Sequence, residues 1–546
     1  MKKDRDLKIK YCLAAGALLV LFRLWLASRQ MIYILPLSAP IDDDLYFNWA
    51  NSIVAGNWLG EYNWLTLSKY PFFAIWLAFL HIAKIPYLIG GCLLWILVAA
   101  AGVFALAPVI KKNIYRLALF AVIIYNPSTY GAFTLRVYRD NIFPQLCTLF
   151  FLAMTGAVLR LKKDLKGAVI CYLMAGVGMA AAFISREDGY WLLPFYIAAA
   201  VIGGIFVLLD KNLDKKAFRL ISAALPAVMT VAAVLTICSI NYKYYNVFTL
   251  TDFNGGSFAD CYGAMTRLSH ENWHPLVAVP EDVRQRMYEG CPSFKQFEYY
   301  LEESAIKKGY ASGRTGDYQS GSFYWALRRS ADELGIYESP QKARRFWEQL
   351  AGEVNRLREK DENALPPRSS LTPPLKAEYV PMVLENAWQS VWYVMSWQDM
   401  SGYENQLSDV TTGQIEKWES FLYTKSNYAA VENSARPYHS PTQKIAYKIF
   451  DIITWIYRAL IPLMLIAGAV RAAKALKLFG RLDYTSKIIL ISLGGMIAMV
   501  IFRIFIISFM EVAAFNIGIY SMYLGTVYPL VVTTATAACM RNFEKE

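Results

Sequence analysis

Long apolar runs alternate with short charged breaks over most of the chain, and the alternation lapses at length only once, across residues 242–444. A run of about twenty apolar residues is long enough to cross a ~30 Å hydrocarbon layer as a helix. The pattern therefore predicts spans at about 11–35, 87–109, 114–133, 141–159, 167–184, 190–209, 217–241, 445–470, 487–508 and 519–539. A further apolar run, 70–84, is short for a crossing. If it stays on one side as a juxtamembrane or re-entrant helix, the loops sort by charge. Lys111, Lys112 and Arg116, then Arg160 to Lys166, then Lys211 to Lys216, then Arg471 to Lys477 all fall inside, with both chain ends. The fold class this predicts is an all-α polytopic membrane protein.

Polar positions mark the elements between spans. In PIDDDLYFNWANSIVAG, Leu45, Trp49 and Ile53 recur every four residues after Asp42, Asp43 and Asp44, so they share one helix face. Gly56 is a fitting stop. Such a helix suits a membrane surface, apolar face down, with its carboxylates at the water boundary. Within 242–444, Ser339 and Pro340 read as the N-cap and first residue of a helix to Lys360, striped by Phe346, Leu350, Val354 and Leu357. Ser322 to Gly335 reads as another helix, and Leu365 to Leu375 as a proline-punctuated connector. Three regions follow: an N-terminal transmembrane catalytic module (1–241), a mostly helical extracytoplasmic domain (242–444) and C-terminal transmembrane helices (445–546).

Composition narrows the class. Of 546 residues, 56% are hydrophobic and only 18% charged, which excludes an ordinary soluble globule. The net charge of +12 does not sit on a folded basic module, so nucleic acid is not an expected partner. The first run is long and lacks a small-x-small site, so it reads as a retained anchor rather than a cleaved signal. Cys261 and Cys291 lie in the large polar region, where an oxidising compartment would let them pair; a disulfide between them is the expectation. No Cys/His spacing suits a metal. The aromatic content fits interfacial belts and helix packing and marks no site by itself.

Three charged clusters gather on the outer side by topology alone. Asp42, Asp43 and Asp44 come with Lys69; Arg136 and Arg139 come with Asp140; Arg186 comes with Glu187 and Asp188. Three such clusters at span ends, two in very short loops, exceed what interface marking requires. Sugar transfer from a lipid phosphate needs a base for the acceptor hydroxyl, which a carboxylate supplies, and cations for the leaving phosphate, which arginine grips in bidentate fashion. Two cations lie within spans, Arg23 and Arg503. Each either faces the lipid phosphate or is held structurally, by a carboxylate such as Glu511 or by snorkelling.

These residues resemble the membrane glycosyltransferases of the GT-C superfamily, which include protein O-mannosyltransferases and lipid A aminoarabinose transferases. Asp42 and Asp43 match that family's acidic pair in the first outer loop. Lys69-Tyr70-Pro71 resembles its cation before proline, with Tyr70 intervening. Arg136 to Asp140 matches its arginine-bearing loop and Asp at a later span. The likeness covers roughly 8–240. It implies a GT-C-like helical bundle and inverting transfer from a polyprenyl-phosphate sugar to a glycan, lipid or protein acceptor, on the outer face of a bacterial plasma or inner membrane. In that reading Asp42 is the base with Asp43 and Asp140 beside it, and Lys69, Arg136, Arg139, Arg186 and Arg503 bind donor phosphate. Asp44, Glu187 and Asp188 are accessory. Asp44 leaves open which adjacent pair of the triplet acts. No cofactor is expected, a divalent metal being the unfavoured option. The rivals are a transporter or flippase for a lipid-linked or anionic substrate and a non-catalytic envelope assembly or sensor protein.

Overall fold

A computed structural model describes residues 8–253, 255–271, 274–366, 368–369, 371–428, 437–516, 518 and 520–540. Among them every regular element is helical, and extended pairing is confined to four isolated bridges. The membrane part is built from α1 (Ile9–Ala27), α2 (Leu45–Val54), α3 (Phe72–Ile82), α4 (Tyr87–Leu106), α5 (Asn113–Ile124), α6 (Phe143–Arg160), α7 (Leu165–Phe183), α8 (Leu193–Leu209) and α9 (Leu225–Tyr245). The polar region supplies α10 (Ser257–Met265), α11 (Ser320–Glu333), α12 (Pro340–Glu359), α13 (Val380–Ser396) and α14 (Thr412–Leu422), with shorter helices between. Then follow α15 (Pro441–Lys477), α16 (Tyr484–Met510) and α17 (Val527–Met540).

Eight helical stretches among the described residues are long and apolar enough to cross a membrane, against ten expected. Two expected spans are helical over only part of their length. The run 114–133 is helical only over the twelve residues of α5, and 519–539 chiefly over the fourteen of α17. At 1.5 Å per residue these reach about 18 and 21 Å, short of a hydrocarbon layer of ~30 Å. Hydropathy counts apolar residues but not helix breaks: beyond α5 the chain turns at Asn126, whose side chain caps a 3-10 turn begun by Pro127. The run 70–84 contains α3, only eleven residues long, in keeping with the length argument against a crossing.

Helix α6 is the axis. Leu149 aside, all its side chains are buried, between α4 and α7. Small residues permit that closeness. A Cβ on Gly156 would stand 2.6 Å from that of Ala105 on α4, and one on Gly178 of α7 would stand 2.7 Å from the Leu146 carbonyl oxygen.

The polar region divides between two cores. Residues from Phe258 to Val354 close their own, around Tyr262, Phe297, Tyr324 and Trp347. Val394, Trp397, Met400, Trp418 and Phe421 instead join the membrane core. Ser339 caps α12 as expected, but the buried stripe centres on Trp347, with Phe346 and Leu357 only half-buried. The disulfide is a correction: Cys261 and Cys291 are free thiols, both fully buried in the domain core. There they act as small apolar side chains, and burial pushes the Cys291 thiol up to about 11. A second correction concerns α2. Its apolar stripe lies on protein, Leu45 and Trp49 buried in the membrane core with Ile53 against it, and Phe47 on another face stacks on Trp418 at 3.9 Å.

Candidate active site

The acidic triplet lies in a single wide turn, Pro40–Asp44, of π type, that opens directly into α2. The wide turn aims Asp42 and Asp43 to one side. Asp44 points elsewhere, its Oδ2 accepting from the Asn48 amide at 2.8 Å, so it stands outside the cluster. Asp43 is fully buried and takes the Leu35 N–H on Oδ2 at 3.1 Å. Gly56, in the left-handed region at φ 83°, follows the end of α2 as the sequence predicts.

The remaining charges arrive from three other places. Lys69 sits just before Pro71 and α3 and is buried. Arg136 and Arg139 flank Tyr138, which is extended, and Arg139 opens the 3-10 turn that leads into α6; the Tyr87 hydroxyl donates to the Arg136 carbonyl at 2.9 Å. Arg186, Glu187 and Asp188 form the turn between α7 and α8. Arg503 comes from α16, 0% exposed, its guanidinium 5.3 Å from the Trp191 ring centroid.

These groups form three adjoining ion-pair sets, the first two meeting around the Tyr138 ring. Lys69 Nζ donates to Asp42 Oδ1, which also accepts from the Tyr138 hydroxyl at 3.1 Å. Arg136 holds Asp43 at 2.6 Å and reaches Asp42 at 3.5 Å. Arg139 grips Glu187 with two nitrogens, at 2.5 and 2.8 Å. Arg186 bridges Asp140 at 2.5 Å and Asp188 at 3.0 Å, and Asp188 also meets Arg503 at 2.6 Å. Five cations thus face five carboxylates: Lys69, Arg136, Arg139, Arg186 and Arg503 against Asp42, Asp43, Asp140, Glu187 and Asp188. Some donors remain unused among the described residues: Nε of Arg139, and Nε and Nη2 of Arg503, make no hydrogen bond, nor does Asp140 Oδ2.

Electrostatics separates the two leading aspartates. Burial by itself would raise Asp42, but the charge on Lys69, then that on Arg136, outweighs it and holds the carboxyl down at about 2. For Asp43 burial wins over the Arg136 charge, and its carboxyl is pushed up to about 6. Asp42 is also the most water-accessible side chain of the pairs, 28% exposed against 0% for Asp43. The geometry therefore separates an accessible, ionised carboxylate from a buried one that fixes an arginine.

The structure brings together every charged residue of the three clusters except Asp44, and it decides the two within spans. Arg503 joins the third set through Asp188; Glu511, its expected partner, instead accepts the Gly518 N–H at 2.7 Å. Arg23 lies apart. Its guanidinium donates to the carbonyls of Ile124 and Thr129, each at 3.0 Å, and so closes the end of α5. Tyr138, Trp325 and Arg328 are members or neighbours that the sequence did not single out. Tyr138 was legible only as the centre of RVYRDN; Trp325, whose ring centroid lies 5.6 Å from Lys69 Nζ, sits over 250 residues away in sequence and carried no signal. A cavity of about 450 Å³ lies elsewhere, in the polar domain, lined by Ser257, Asp260, Glu348 and Arg368 among others.

Comparison with known proteins adds little to this geometry. No family model matches the chain, and no curated protein matches it. Among solved structures, the crystal structure of ArnT from Cupriavidus metallidurans in the apo state aligns over 96% of this chain and 77% of its own, at 11% identity and a TM-score of 0.31. An overlap that loose leaves the functional reading to the site itself.

Proposed function

We propose that the chain is a membrane glycosyltransferase of GT-C type. It transfers a sugar from a polyprenyl-phosphate donor to an acceptor hydroxyl on the extracytoplasmic face, with inversion. The observation that carries this reading is the pairing of Lys69 with Asp42 at the accessible edge of a buried arginine cluster. That pair offers a cation for a phosphate and a carboxylate for a hydroxyl side by side.

The chemistry follows from the roles. Asp42 takes the acceptor proton as the acceptor oxygen bonds to the sugar's anomeric carbon. The bond from that carbon to phosphate breaks, and its electron pair passes to a phosphate oxygen held by Lys69, with Arg139, Arg186 and Arg503 near. Asp43 fixes Arg136, and Asp140 fixes Arg186. A carboxylate held at about 2 is a weak base. A donor phosphate that draws Lys69 toward itself removes the charge that depresses Asp42, so donor binding strengthens the base. In this scheme the protein's own cations, rather than a divalent metal, neutralise the leaving group.

The test is incubation of the purified protein with labelled polyprenyl-phosphate sugars, following sugar release and transfer. Asp42→Asn should lower turnover about 100-fold or more while donor binding is largely kept. Undiminished turnover in Asp42→Asn removes the base from the mechanism. If instead Asp43→Asn alone abolishes transfer, the base is its neighbour.

A further inference from the structure

Lys69 is supported from behind by the polar domain. Arg328 on α11 is 0% exposed and reaches across to the segment that leads into Lys69. Its Nε donates to the Trp64 carbonyl at 2.9 Å, and Nη2 donates to the same carbonyl and to that of Thr66, the latter at 3.4 Å. Nη1 meets Asp252 at 2.9 Å, and the Asp252 N–H donates to the Leu67 carbonyl at 2.9 Å. One turn earlier on α11, the Tyr324 hydroxyl donates to the Ser68 carbonyl at 3.3 Å. Thus the carbonyls of residues 64, 66, 67 and 68 are all held by one buried unit. Leu67 stands in the left-handed region at φ 61°, a conformation that a branched side chain adopts only with outside support.

We propose that Arg328 is a positioning residue for Lys69: by gripping the backbone of 64–66 together with Asp252, it holds the Lys69 ammonium against Asp42. The role in transfer rests on the function proposed above; the positioning itself rests on the contacts alone. Only a planar fork reaches two carbonyls and a carboxylate at once, so lysine is a poor substitute at this position. The same domain holds an internal control. Arg284 is 1% exposed and pairs with Glu302 and Asp317, each at 2.7 Å, within the domain, away from the Lys69 segment. If Arg328 merely stabilised the domain, replacing either arginine would have the same consequence.

The experiment uses the full-length protein in detergent micelles. Reductive methylation with formaldehyde and borane, read at Lys69 by mass spectrometry, reports how firmly that ammonium is held. Lys69 is expected to be protected in the native protein and in Arg284→Lys, and modified at least about tenfold faster in Arg328→Lys. Should Arg328→Lys fail to fold, Tyr324→Phe, which deletes only the hydroxyl on Ser68, is expected to raise the rate about two- to threefold. Equal Lys69 rates in the native protein and in the folded variant overturn the proposal. A second arm measures binding of decaprenyl phosphate. Arg328→Lys should weaken it as Lys69→Ala does, and the double variant should lose no more than Lys69→Ala alone; additive losses overturn the coupling. Native protein that does not bind decaprenyl phosphate, with Lys69 still released in Arg328→Lys, sinks the transferase reading and leaves the positioning role standing.

Discussion

Asp42 and Asp43 are chemically identical neighbours made different by what surrounds them. Lys69 keeps Asp42 ionised down to about 2, whereas burial lifts Asp43 to about 6. The signs differ accordingly. Asp42 contributes stability that is complete above its ordinary 3.8 and lost as pH falls toward 2. Asp43, raised above 3.8, contributes stability that is complete below that value and lost as pH rises through about 6. Acidifying from pH 7 to 5 should therefore protonate Asp43 and loosen its hold on Arg136 with no loss of stability from that group. In a pH series of transfer rate, an acid limb with a midpoint near 6 is expected, and Asp43→Asn should flatten it. An acid limb unchanged in Asp43→Asn assigns it to another group.

Among the elements, α5 shows why a hydropathy count overshoots. A helix ending inside an apolar layer leaves carbonyls that water cannot reach. Here Arg23 of α1 crosses to supply the donors, closing Ile124 and Thr129. Of the two roles the sequence left open for Arg23, the structural one holds, and it is what allows α5 to be short. Arg23→Met should cost about 1–3 kcal/mol, because the buried Thr129 carbonyl loses its arginine donor while that of Ile124 keeps only the Thr129 hydroxyl at 3.2 Å. Thermal unfolding in detergent measures it, and an unshifted transition sinks the assignment. Glycine acts at the same scale: Gly156 and Gly178 set the spacing that buries α6 between α4 and α7.

At the scale of the molecule, the charged loop ends meet because α6, the α7–α8 turn, α16 and the turn before α2 all finish at one level, beneath the polar domain. The basic segment Arg160 to Lys166 lies at the opposite end of α6, and Arg471 to Lys477 closes α15 just before α16 begins. On the function proposed above, the charge rule leads us to expect the site outside the cytoplasm. A cysteine at Lys111 should escape an impermeant maleimide in intact cells and react after permeabilisation. Labelling in intact cells would place the loop outside and reverse the orientation around it.

The sequence by itself determined the membrane class, most of the spans, the helix at 45–54 with its Gly56 stop and the cap at Ser339, because these depend on local periodicity and on residues adjacent in the chain. It also marked ten of the groups that meet in the ion-pair sets, since charges at the ends of apolar runs stand out against their surroundings. Only the tertiary structure decided their partners. Which aspartate is buried, that Arg503 meets Asp188 rather than Glu511, that Arg23 closes a helix, and that Cys261 and Cys291 remain free core thiols all depend on contacts between distant segments. Arg328 is the plainest case. Its fork meets Trp64 across 264 positions, and no local pattern records a partner so far along the chain.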